Sequence, residues 1–204
     1  MHWTLVPLMV ALWWTAEHDQ LDLHRTLGFV TLWLVLFRIL WGVAGSSTAR
    51  FSGFLRGPRT VFAYARDLMA GRTGPAVIGH NPLGAWSVAA MLTLLAADVT
   101  LGLFAVDVDG VQPGPFAKFI SFDQGRAVAE WHHWVFNALV GVIVLHLAAI
   151  VFYAVVKRDN LVGPMVTGSK GTHADAEPMT LATSSRLVAA LGIAAAVTAL
   201  VMRG

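Results

Sequence analysis

Five stretches of this chain are apolar enough to be read as bilayer crossings, and too little sequence separates them to build a soluble domain. They are residues 3–16, 26–44, 83–106, 134–156 and 187–202. A helical crossing of roughly 30 Å of hydrocarbon takes about 20 residues, so the first and fifth are short. Only Met1 and His2 precede the first, which leaves room for a start further upstream; no cleavable signal pattern is visible there. Composition agrees with membrane residence. Hydrophobic residues make up 56% and charged residues 13% of the chain, against a usual globular share of roughly 25% charged. An all-α integral membrane protein is therefore expected.

Charge and cysteine content exclude several classes. A net charge of +2, with the basic residues gathered in particular loops, gives no surface for nucleic acid. The absence of cysteine removes disulfides, zinc–thiolate sites, iron–sulfur clusters and thioether-linked haem. Histidine remains as the soft ligand, with eight copies.

The loops carry an orientation signal. Residues 46–81 hold Arg50, Arg56, Arg59, Arg66 and Arg72 against Asp67 alone, and Lys157, Arg158 and Lys170 follow the fourth span. The alternate loops carry Glu17, Asp19, Asp22, Asp107, Asp109, Asp123 and Glu130. The positive-inside bias then places the N-terminus and the basic loops in the cytoplasm. Within the basic loop, Val61, Ala65 and Leu68 recur at helical spacing beside Phe62 and Met69, with Arg59 and Arg66 on other faces. This predicts a helix lying on the membrane surface against lipid headgroups. Residues 169–185 read as a polar linker, and 186–204 as an extra C-terminal transmembrane helix.

Ionisable side chains inside spans are costly and point to function. His132 and His146 are fourteen residues apart, so at about 100° and 1.5 Å per residue they share one helix face, roughly 21 Å apart along the axis. Two imidazoles at two depths suit two stacked haems. His133 lies on another face and is the poorer candidate. Opposite partners are available at each depth: His2 at the start of the first span for His146, and His24 at the start of the second for His132. Arg38, fourteen residues after His24, is placed to meet an anion such as a haem propionate.

Plainer roles suit other residues. His18, His80 and His173 read first as interfacial hydrogen-bonding groups. Trp13, Trp14, Trp33, Trp41, Trp86 and Trp134 read as interface belts and packing. Gly28, Gly42, Gly102 and Gly141 could admit a flat macrocycle but serve ordinary helix contacts as readily. Asp98 and Asn137 suit interhelical hydrogen bonds, with a proton path as the alternative.

The stretch from Trp131-His132 to His146, continuing into Lys157-Arg158-Asp159-Asn160-Leu161 and Pro164-Met165, resembles the last core helix of bacterial cytochrome b561 proteins. That family includes the b-type cytochrome subunits of nickel–iron hydrogenases. His2-Trp3 resembles its first-helix motif, His24-Arg25 with Gly28 its second-helix ligand region, and Gly79-His80-Asn81-Pro82-Leu83-Gly84 the entry to its third helix. The resemblance covers about residues 1–168. It implies a four-helix transmembrane bundle in the bacterial inner membrane holding two b haems, here ligated by His2 with His146 and His24 with His132, and exchanging electrons with quinone. Two departures are a missing basic stretch before His2-Trp3 and a fifth apolar segment outside the four-helix core.

The expected activity is electron transfer across the inner membrane between quinone or quinol and a periplasmic or membrane redox protein, or a small oxidant. His80 and the turn to Leu83, with Arg59 and Arg66, are cytoplasmic candidates for the quinone site. Two rival readings stand beside it: a haem-bearing anchor subunit of a hydrogenase or dehydrogenase, and a haem-free transporter or assembly subunit whose histidines relay protons or bind a divalent metal.

Overall fold

The computed structural model describes residues 2–72, 81–167 and 180–204, and these form helices and loops only. In chain order the helices are α1 (His2–Glu17), α2 (Leu21–Ala44), the short α3 (Phe51–Phe54), α4 (Pro58–Met69), α5 (Pro82–Gly102), α6 (Phe122–Val155), the short α7 (Val162–Thr167) and α8 (Ser184–Met202). Four of them, α2, α5, α6 and α8, are long and apolar enough to cross a membrane. Helix α1, at 16 residues, is shorter than a full crossing.

Local chemistry sets the helix starts. Asn81 caps α5 by accepting from the Gly84 amide at 2.7 Å, with Pro82 in the first turn where a missing N–H costs nothing. Ser121 and Gln124 form a reciprocal capping box at the start of α6. The helix that the box starts begins at Phe122, twelve residues before the apolar run read from sequence. Helix α6 therefore reaches 34 residues, longer than the roughly 20 that hydrocarbon alone requires, and its first turns carry Asp123 and Glu130. Helix α5 ends at Gly102 rather than continuing to Val106. The chain there turns back on itself, with Gly114 donating to the Ala105 carbonyl at 2.8 Å and Val106 to that of Gly125 at 3.2 Å.

Helix α5 packs along α6, α2 packs against α1, α5 and α8, and the amphipathic α4 lies against α5. The bundle has an acidic end, where the α1–α2 turn and the segment after α5 lie, and a basic end carrying α4 and α7. At the basic end Trp3 donates to the Met165 carbonyl at 3.2 Å, tying the start of α1 to α7. Helix α8 is pinned beside the end of α2 by Thr180 and Ala182, which bond to Ser47 and Ser46. It runs back to the acidic end with Ala190, Ala194 and Thr198 buried on one stripe. Small residues permit that close contact where water expulsion between helices is absent as a driving force.

A layer at mid-height joins the bundle. Val35 of α2, Leu95 of α5 and Leu139 of α6 are buried together, with Met9 of α1 and Ile143 packed against them. Leu139 sits two helical turns from both His132 and His146. The layer therefore separates the two histidine levels with close-packed hydrocarbon.

Candidate haem sites

Towards the acidic end, α2 and α6 part around a cavity of about 650 Å³, walled by His24, Gly28, Asp98, Gly102, Arg126 and His132, among others. That volume is within the usual range for a cofactor site, roughly 300–1,000 Å³. The imidazoles of His24 and His132 come together here, ring centroids 6.2 Å apart and planes at 90°. Two metal–nitrogen bonds of about 2.0 Å plus two ring radii give a span of about 6 Å, so one metal between the rings fits with little movement.

Both rings are held by Nδ1. The His24 Nδ1 lies 3.0 Å from the Leu12 carbonyl and 3.3 Å from the Thr15 hydroxyl. Thr15 is almost fully buried and its hydroxyl is anchored on the Ala11 and Leu12 carbonyls. The His132 Nδ1 donates to the Asp98 main-chain carbonyl at 2.8 Å. The Asp98 carboxylate Oδ1 is 3.1 Å from the same nitrogen, but lies off the N–H direction and has no hydrogen bond of its own. Carbonyl acceptors at Nδ1 fix the tautomer that leaves Nε2 as the ligating atom. Among the described residues neither Nε2 has a hydrogen-bond partner.

Two glycines shape the cavity. A Cβ on Gly102 would stand 3.3 Å from His132 Cε1, so the bare backbone lets the ring lie against α5. A Cβ on Gly28 would meet nothing within 4 Å, because that backbone faces open cavity. Arg25, ion-paired to Asp22 at 3.1 Å, and Arg126, bonded to the Val106 carbonyl at 3.1 Å, stand at the wall near the membrane rim, where anionic propionates would sit.

Towards the basic end, His146 lies on the packed face of α6, and its Nε2 is buried without a hydrogen-bond partner. His2 stands within Coulombic reach of it and packs edge-on to Trp3, ring centroids 5.3 Å apart. An orphaned buried imidazole nitrogen, with a second histidine at the start of α1 on the same end of the bundle, is a donor set that a haem iron would satisfy. The opposed rings and the cavity of the acidic-end level fit the group.

Other histidines and arginines have other surroundings. His133 is exposed, though it is among the residues that wall the same cavity. His18 stacks on Trp14 with centroids 4.4 Å apart and bonds to its carbonyl, an interfacial arrangement. Arg38 donates to the Ala49 carbonyl at 3.4 Å and lies over the Phe51 ring at 4.9 Å, so its present partners are a loop and an aromatic face. Arg59 is exposed on α4. His80 and His173 lie outside the described residues. The sequence reading missed Arg126 as a cavity residue and Thr15 as the hydroxyl behind His24. It also missed a polar junction at the basic end, where the Tyr64 and Tyr153 hydroxyls lie 2.8 Å apart and Asn81 Nδ2 donates to Tyr153 at 3.0 Å.

A family model described as prokaryotic cytochrome b561 matches residues 1–168. Three curated relatives are each described as a probable Ni/Fe-hydrogenase B-type cytochrome subunit. Those of Azotobacter vinelandii and Bradyrhizobium diazoefficiens are both 26% identical, over 71% and 72% of this chain and 65% and 64% of their own length. That of Azotobacter chroococcum is 29% identical over 45% of this chain and 40% of its length. The chain thus spans less than two thirds of each relative. No solved structure matches it.

Proposed function

The chain belongs to the prokaryotic cytochrome b561 family, whose members are multi-pass bacterial membrane proteins of haem-b electron transfer, and from that premise we propose that it carries two b haems and moves electrons across the membrane between quinone and a redox partner at the acidic end. The observation that carries this reading is the 6.2 Å opposition of His24 and His132, each anchored through Nδ1. The buried, unbonded Nε2 of His146 supports the second site, with His2 as its partner.

Haem supplies reversible one-electron chemistry when bound. The chain's own residues do the rest. The four imidazoles would hold two irons at levels roughly 21 Å apart along α6. Two imidazoles for each iron would leave no position open to oxygen, which would favour electron transfer. The layer of Val35, Leu95 and Leu139 keeps water from the space between the levels. Arg25 and Arg126 meet negative charge at the outer rim, and Arg38 is placed for the same task at the inner one.

The quinone site is proposed at the basic end. Tyr64, Tyr153 and Asn81 gather hydrogen-bonding groups there between the surface helix and the bundle. Arg59 and His80 are further proposed contributors. The basic residues of that end favour the cytoplasmic face of the inner membrane for it and for the N-terminus.

The purified protein should give a Soret band, a sharp reduced α-band and two haems per chain, with reduced haem reoxidised by quinone. A folded, colourless protein that takes up no haem contradicts the reading. The hydrogenase cytochromes among its relatives favour a second reading, in which the chain is the haem-bearing anchor of a larger enzyme. Quinone reoxidation that occurs only after a soluble partner is added would favour it.

A further inference from the structure

Among the described residues Asp98 is the one carboxylate buried in the bundle, 7% exposed and one turn before the end of a helix long and apolar enough to cross a membrane. Such a placement costs several kcal/mol unless the group has a partner. Its partner is the ring that the proposed function assigns to the acidic-end iron: Oδ1 lies 3.1 Å from His132 Nδ1. The main-chain carbonyl of the same residue takes the N–H at 2.8 Å. Asp98 thus holds His132 by a hydrogen bond to its main-chain carbonyl and sets its carboxylate charge beside the same nitrogen, and Gly102, one turn on, leaves the ring room to sit flush with α5.

The other histidines have no equivalent. The His24 Nδ1 meets only neutral oxygens, from Leu12 and Thr15. No carboxylate bonds to His2 or His146 among the described residues. A carboxylate beside an imidazole raises its basicity as a ligand, which favours the ferric over the ferrous state of the iron it binds.

We propose that Asp98 is a positioning residue that makes the two haem sites unequal, fixing His132 and holding the potential of the acidic-end haem below that of the basic-end haem. The inference rests on the proposed function. It adds a thermodynamic bias: an electron on the acidic-end iron moves downhill to the basic-end iron, oxidising the first and reducing the second.

The test is a potentiometric titration of the haem-loaded full chain, followed optically and by low-temperature EPR, in wild type, Asp98→Asn and Asp98→Ser. His132→Ala identifies the acidic-end step as the one that disappears. In both Asp98 variants two haems should remain and the acidic-end step should rise by about tenfold or more in reduction equilibrium constant, about 59 mV for one electron. Its low-spin EPR signal should change, while the basic-end step stays in place. Potentials unmoved, both steps moving equally, or a haem lost from both variants would overturn the assignment. A wild-type protein without two haems would instead defeat the underlying reading, so the two failures are distinct.

Discussion

The His24 and His132 rings oppose each other at right angles, 6.2 Å between centroids, although 108 residues separate them. Each ring is fixed from behind, one by the end of α1 and the other by α5. Three helices besides α6 are therefore needed to build one ligand pair, and preorganisation of this kind lowers the cost of capturing a large flat group.

The glycines test the cavity's shape. Gly102→Val puts branched bulk where even a single Cβ would stand 3.3 Å from His132. It should displace the ring and lose one haem of two. Gly28→Trp meets no protein atom at Cβ but grows into the cavity, so it should lose the same haem while the folded yield stays unchanged. Haem per chain by pyridine haemochrome, alongside monodispersity, checks both; Gly28→Trp with full haem content would show that the macrocycle lies elsewhere.

The mid-height layer should matter for stability rather than loading. Leu139 is 2% exposed, and truncating a buried leucine to alanine typically costs about 2–5 kcal/mol. Leu139→Ala should lower the thermal midpoint in detergent and keep two haems. Loss of a haem would mean that the layer positions ligands rather than separating them.

Tyr153 accepts from Asn81 and shares a hydrogen bond with Tyr64, tying α4 and the start of α5 to the end of α6. Tyr153→Phe removes both bonds, a loss of about 1–3 kcal/mol. Proteolysis near α4 should quicken and quinone reoxidation should slow, with the haem spectrum unaltered. Unchanged quinone kinetics would take the junction out of the quinone site.

Much of the architecture was legible because bilayer crossing demands long apolar runs, and helical periodicity put His132 and His146 on one face of α6 and His133 on another, in keeping with the half-burial of the first two and the exposure of the third. The ends of α5 and α6 were not. The first eleven residues of α6 contain Asp123, Arg126 and Glu130, so hydropathy stops short of a start that the Ser121–Gln124 box defines. The surface helix α4 was readable from Val61, Ala65 and Leu68, whereas its tyrosine junction depends on a residue 89 positions away. Asp98 could be noticed as a mid-span acid, but its engagement with His132 arises only when α5 and α6 pack.

The pairing of the four histidines is tested most directly by counting haem in double variants. His24→Ala with His132→Ala should retain one haem per chain, since both changes empty the same site, and His2→Ala with His146→Ala should likewise retain one. His24→Ala with His146→Ala should retain none. One haem surviving in that last variant, or none in either of the first two, would contradict the account.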